Sequence, residues 1–166
     1  MPQSRKYKKK TRKSPYRPKR KNKVELFKAL FHYWSVKLLD RTYPIIRDNR
    51  FKGHMMVEYD YETKRTVIKY NSHTLHKWTF PLMVEGVFHE IGHIMQGNLP
   101  YETEEQKIFA EYDAEAYALR MMKKYYTKWE YQEVVVYGFN KLLDKEFQKQ
   151  YPIHYEAFKQ IKEYRS

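Results

Sequence analysis

The chain has 166 residues, 42% hydrophobic and 17% aromatic, which suits one domain with a packed core and leaves little room for a second. It has no cysteine, which excludes a disulfide framework and any Cys-based zinc site, and no run of 18 uncharged apolar residues, which excludes a membrane-spanning helix. The net charge of +13 is uneven: residues 1–23 hold twelve Lys or Arg and no acid, leaving twenty-one basic against twenty acidic side chains in residues 24–166.

Residues 1–23 (MPQSRKYKKKTRKSPYRPKRKNK) cannot bury enough apolar surface to offset their ordering entropy, and Pro2, Pro15 and Pro18 interrupt any helix. This segment is expected to be a disordered basic arm when free. Its cations suit phosphates, with Tyr7 and Tyr16 available to stack on bases, so nucleic acid or ribonucleoprotein is the expected partner. The plain alternative is a solubilising tail. The N-terminus has no apolar stretch that could act as a secretory signal, and with the missing cysteines this points to a cytoplasmic protein.

From Val24 to about Asp48 the apolar residues Leu26, Phe27, Leu30, Phe31, Trp34, Leu38 and Leu39 recur at helical spacing, with Pro44 expected to end or kink the helix. Two β-type runs follow, Met55–Tyr61 and Arg65–Asn71, separated by Glu62-Thr63-Lys64, and together they predict a hairpin. A second helix is predicted from Thr79, with Pro81 in its first turn and Gly97 as its stop. A third begins at the capping box Thr103-Glu-Glu-Gln and runs to about Tyr125. Tyr131–Gln150 and Tyr155–Tyr164 read as further helices separated by Pro152. The fold class expected is α+β, mostly helical, with a small antiparallel sheet.

The second helix carries His89-Glu90-Ile91-Gly92-His93. Histidines four apart share a helix face, so both imidazoles can reach one ion at about 2.0–2.1 Å. Glu90 points about 100° round the helix from His89, where its carboxylate can reach a water on the metal and act as general base without taking a ligand position. A catalytic zinc needs a third protein ligand. The metzincin pattern is excluded, because Gln96 and Leu99 stand where it requires Gly and His. On the next helix Glu111 is the candidate ligand, and Glu115, one turn further on, can accept a hydrogen bond from a ligating histidine. Tyr112, Tyr151 and His154 are open candidates for the oxyanion donor.

His-Glu-x-x-His followed by Glu-x-x-x-Glu resembles a gluzincin. Glu111-Tyr-Asp-Ala-Glu-Ala-Tyr-Ala-Leu-Arg-Met-Met is similar to a segment of the ImmA/IrrE-type metallopeptidases, over roughly residues 66–122. Glu115 departs from the Asn or Asp usual there, and Met121-Met122-Lys123-Lys124 replaces Leu-Leu-Met-Pro. SprT-like proteases, DNA-associated and built on the same first motif, are also similar. The resemblance implies a zincin-like domain over residues 24–166 that hydrolyses peptide bonds, with zinc on His89, His93 and Glu111 and with Glu90 as base. It also implies that a peptide or protein substrate is held along a sheet edge, for which Arg65, Val67, Lys69 and Asn71 are the candidates. The competing expectation is an inactive zincin-fold binding module with a structural zinc.

Overall fold

The computed structural model describes residues 16–20, 22–97 and 100–165. In chain order these form α1 (Lys23–Leu39), β1 (Ile45–Arg47), β2 (Met55–Asp60), β3 (Arg65–Tyr70), α2 (Ser72–Leu75) and α3 (Phe80–Gln96). They continue with α4 (Glu104–Tyr125), α5 (Lys128–Leu143), α6 (Lys145–Gln150), α7 (Pro152–Gln160) and a 3-10 turn at Lys162–Arg165. The fold is α+β and predominantly helical. No helix among the described residues is long and apolar enough to cross a membrane.

α1 starts where Asn22 accepts the Val24 and Glu25 backbone N–H groups, and it buries Phe27, Leu30, Phe31 and Trp34. It ends well before the expected boundary near Asp48. Asp40 adopts a left-handed conformation (φ 54°) and returns its N–H to Val36, so Pro44 does not terminate the helix. Pro44 instead offers its carbonyl to Ile68 N–H at 2.8 Å and leads into β1.

The hairpin forms as predicted, with β2 antiparallel to β3 from Met55 opposite Tyr70 to Asp60 opposite Arg65. The sheet is mixed rather than antiparallel throughout, because Ile45–Arg47 adds a short parallel strand beside Ile68–Tyr70. The order is therefore β1-β3-β2. The first motif's helix also forms as expected over Phe80–Gln96. Thr79 sits at its N-cap without a side-chain capping bond, its hydroxyl donating to Glu133 Oε2 at 3.1 Å instead, and Gly97 (φ 87°) follows its end.

α3 is the centre of the domain, packed against α1, α4, α5 and β2, and it is buried continuously from Leu82 to Gly92. Trp34 of α1 meets Phe88 of α3 edge to face, with ring centroids 4.8 Å apart. The capping box predicted at Thr103 is present, and a second at Thr127 and Glu130 opens α5. The single helix expected over Tyr131–Gln150 is divided at Asp144, whose carboxylate accepts from Glu146 and Phe147 and so starts α6.

Residues 1–15, which hold most of the predicted arm, lie outside the described residues. Two of the arm's described residues, Tyr16 and Arg17, pack on the domain. Tyr16 stacks on Tyr33, with centroids 4.0 Å apart and planes 10° apart, rather than standing free for a base. Arg17 forms a two-pronged pair with Glu130 on α5, Nη1 to Oε2 at 2.7 Å.

Candidate metal centre

The burial of α3 decides what its polar residues can do. His89 and Glu90 lie on a helix with no solvent-facing side at that level and are only 9% and 8% exposed. α4 packs back along α3, and Gly92 is what allows the approach. A Cβ there would stand 3.0 Å from Ala114 Cα, so a side chain would push the helices apart. Because Ala114 lies between Glu111 and Glu115, both carboxylates reach the histidine face.

His89 is held at both ring nitrogens. Its Nδ1 lies 2.7 Å from Glu115 Oε2, and its Nε2 lies 3.0 Å from Glu111 Oε2. His93 Nε2 lies 3.1 Å from His89 Nε2 and 3.3 Å from the same Glu111 oxygen. The other nitrogen of His93 meets Gln96 Oε1 at 3.0 Å. Gln96 is oriented by its own amide nitrogen, which donates to the Ala110 carbonyl at 2.8 Å. Tyr164 donates its hydroxyl to the second oxygen of Glu115.

The outer contacts fix the chemistry of the inner ones. With Nδ1–H of each imidazole given to Glu115 or Gln96, both Nε2 atoms present lone pairs toward Glu111. Three acceptors then face one another at 3.0, 3.1 and 3.3 Å, an arrangement that needs a positive centre between them. Protons on the imidazoles are one solution and a metal ion is another. Ligands at 2.0–2.1 Å in a tetrahedron are spaced by about 3.3 Å, so the triangle has the size of one face of such a site. These buried His and Glu groups can hold a metal ion. His154 Nε2, 3.2 Å from Glu111 Oε2, completes a further possible donor group with His89 and Glu111.

The electrostatics follow the same logic. Burial acts to depress both motif histidines, but Glu111 on each, joined by Glu115 on His89, outweighs it and raises them, His89 well above its ordinary value. Burial acts to raise Glu111, yet hydrogen bonds from His89 and His93 hold it well below the usual carboxylate range. The cluster keeps its carboxylates ionised and invites a cation. Glu90 differs: burial pushes its carboxyl up, with the nearby histidines opposing.

Glu90 does not join the triangle. Its Oε2 accepts the Val57 N–H of β2 at 2.9 Å. Its carboxylate borders a cleft of about 580 Å³ that is also lined by His93, Glu111, Tyr59, Tyr151 and His154. Of the three candidates for the oxyanion donor, the structure brings Tyr151 and His154 to this cleft. Tyr112 packs against the core instead.

The substrate-strand expectation is corrected by the sheet order. Arg65, Val67, Lys69 and Asn71 lie on or just beyond β3, which runs behind β2 and is flanked on its other side by β1 over Ile68–Tyr70. Lys69 is tied to Glu58 at 2.8 Å, and Asn71 caps α2 and donates to Phe51 O at 2.7 Å. The edge that meets the site is β2, as Val57 shows. Sequence reasoning missed Gln96 and Tyr164 as supports of the histidines. Gln96 could have been found one turn beyond His93, whereas Tyr164, 49 residues beyond Glu115, carries no local signal.

No protein-family model matches the chain, and neither a curated protein nor a solved structure does. Fold and site define an α+β domain with a buried centre of histidines and glutamates able to hold a metal.

Proposed function

We propose that this chain is a zincin-like, zinc-dependent metallopeptidase. The observation that carries the reading is the triangle of His89 Nε2, His93 Nε2 and Glu111 Oε2, which borders a cleft that also contains a separate buried carboxylate, Glu90. Two imidazoles and one carboxylate are a donor set that suits zinc and leaves a fourth position open. When bound, zinc would supply Lewis acidity to a peptide carbonyl and to water.

Glu115 and Gln96 orient the two imidazoles by taking their Nδ1 protons. Glu90, whose burial favours the protonated form, accepts the proton of the attacking water and returns it to the departing amine. The Val57 N–H keeps that carboxylate aimed while one oxygen stays free. A peptide can lie along the outer edge of β2, with His154 or Tyr151 offering a hydrogen to the developing oxyanion. The basic segment at residues 1–23 is the part of the chain suited to bring the enzyme to nucleic acid or a nucleoprotein substrate.

One observation favours a second reading. His154 Nε2 stands 3.2 Å from Glu111 Oε2, and as a fourth ligand it would close the site and make the zinc structural. Its side chain is 41% exposed against 11%, 16% and 19% for His89, His93 and Glu111, which suits a donor at the cleft better than a ligand. Zinc content and peptide cleavage of Glu90→Gln and His154→Ala separate the two. The peptidase reading expects zinc retained in both, with cleavage falling by about 10²–10⁴-fold in Glu90→Gln. Loss of zinc from His154→Ala, with no cleavage by the parent chain, would establish the structural site instead.

A further inference from the structure

α5 is apolar on two sides. Its inner side buries Val134 and Gly138 against the core. Its outer side carries Trp129, Val136, Phe139 and Leu143, which are 84%, 47%, 37% and 68% exposed. Of the ten large apolar side chains exposed among the described residues, these four fall on one helix. A surface helix normally turns polar residues outward, so a second apolar stripe is what a helix shows when it meets partners on both sides.

Trp129, Val136 and Leu143 are seven residues apart, and Gln132 and Phe139 fall three residues after the first two. These are the a and d positions of two successive heptads, the seam through which helices pair side by side. Gln132 is exposed as well, so the seam is open along its length among the described residues. Parallel pairing of two α5 helices sets each of the four apolar side chains against its own copy. An antiparallel pair sets a positions against d positions, and every such register leaves Trp129 or Leu143 without an apolar partner. The flanking charges agree with the parallel arrangement. Lys128 is at a g position and Glu133, five residues on, at the e position that g meets across a parallel pair, so each copy's lysine faces the other's glutamate. Both are exposed, and the Thr79 hydroxyl holds Glu133 beside the seam, donating to it at 3.1 Å.

We infer that the outer face of α5 is an interface for a second copy of this chain, whose α5 lies alongside in parallel and in register. A second copy is the occupant because the stripe complements itself both in its apolar layers and in its flanking charges. Arg17 pairs with Glu130 in the first turn of α5, so parallel pairing brings Arg17 and Tyr16 of both copies to one end of the dimer. Two heptads bury no more than about 1,200 Å² in total, the size of transient assemblies, so the dimer forms and dissociates with concentration. Pairing carries no cost of ordering a helix, since α5 is already folded against α3 and α4.

Sedimentation equilibrium of the full chain at low salt, from about 5 to about 500 µM, should show monomer and dimer in exchange, because an interface of this size gives micromolar or weaker affinity. Val136→Glu should leave monomer throughout, and Trp129→Ser, at a side chain 84% exposed, is a second variant whose fold owes least to the seam. Melting of the dilute variants checks that both remain folded. Lys128→Glu and Glu133→Lys each set like charges together and should weaken the dimer by about tenfold. Mixed in equal amounts, the two should associate as well as the parent, because each mixed pair again sets opposite charges together at both places. A chain that stays monomeric at every concentration, or a dimer that survives both Val136→Glu and Trp129→Ser, overturns the interface. A mixture that associates no better than its components overturns the parallel register. A monomeric chain that binds anionic phospholipid vesicles, and loses that binding in Val136→Glu, assigns the stripe to a membrane surface and overturns the inference.

Discussion

If zinc occupies the candidate centre as proposed, Gly138→Ala, which presses on Tyr164 from α5, should weaken its binding without touching a proposed ligand. Gly138 is buried in the middle of α5, where an alanine normally stabilises a helix by about 1 kcal/mol over glycine. Here the added methyl would lie within 2.5 Å of three atoms of the Tyr164 ring. Ordinary carbon contacts begin near 3.5 Å, so the ring must retreat by about 1 Å. Tyr164 is 1% exposed, and overpacking such a residue costs about 1–3 kcal/mol. Its hydroxyl would also leave Glu115, a charge-assisted hydrogen bond of about 1.5–3 kcal/mol. The net loss is about 2–4 kcal/mol, on the order of 10 °C in Tm for a domain of this size. Glu115 is what receives His89 Nδ1, so zinc affinity should fall by about 10–100-fold. Calorimetry of the metal-free protein and zinc titration against a competing chelator measure the two effects. Tyr164→Phe, which removes the hydroxyl and keeps the ring, should reproduce the affinity loss with the smaller loss of stability. A Gly138→Ala protein that melts at or above the parent temperature and binds zinc equally would refute the relay from α5 through Tyr164 and Glu115 to His89.

Zinc at a hundredfold excess over its Kd should stabilise the folded chain by about 2.7 kcal/mol, seen as a Tm rise of roughly 5–10 °C that a chelator reverses; Glu111→Ala should abolish most of that rise, and an unchanged rise would remove Glu111 from the ligand set. His54 is held near a pKa of about 4 by burial, with Lys141 and Lys77 adding to the effect and the Thr74 carbonyl opposing it. Its unfolded value is about 6.5, so the unfolded chain binds the extra proton first and stability should fall as pH drops from about 6.5 toward 4. Urea midpoints across that range should show a shallower decline in His54→Asn, and parallel curves would remove His54 as a source of acid sensitivity. A chain truncated before residue 19 should melt below one truncated before residue 16, because the further deletion removes the Tyr16–Tyr33 stack and the Arg17–Glu130 pair, together about 1–2 kcal/mol; equal Tm values would show that these contacts add nothing.

What could be read in advance was set by local chemistry. His89, Glu90 and His93 were legible because helical spacing alone puts two imidazoles on one face and the carboxylate beside them. Thr103 and Gln106 announced the start of α4 through a four-residue pattern, and so Glu111 and Glu115 could be placed one turn apart. The end of α1 was misread because Pro44 was the louder signal, while the actual stop is Asp40 in a left-handed conformation that aspartate adopts without announcing it. β1 was missed because three residues carry no periodicity, yet those three place β3 inside the sheet and move the edge that meets the site from Lys69 to Val57.

The supports of the site were the least legible part, and the reason is physical. Tyr164 acts through burial and approach across the core, which depend on how helices pack and not on which residues are neighbours in sequence. In the sequence Glu85 is simply an acid four residues before His89. Its burial beside Glu115 makes it a polar group enclosed on a helix that has no wet face.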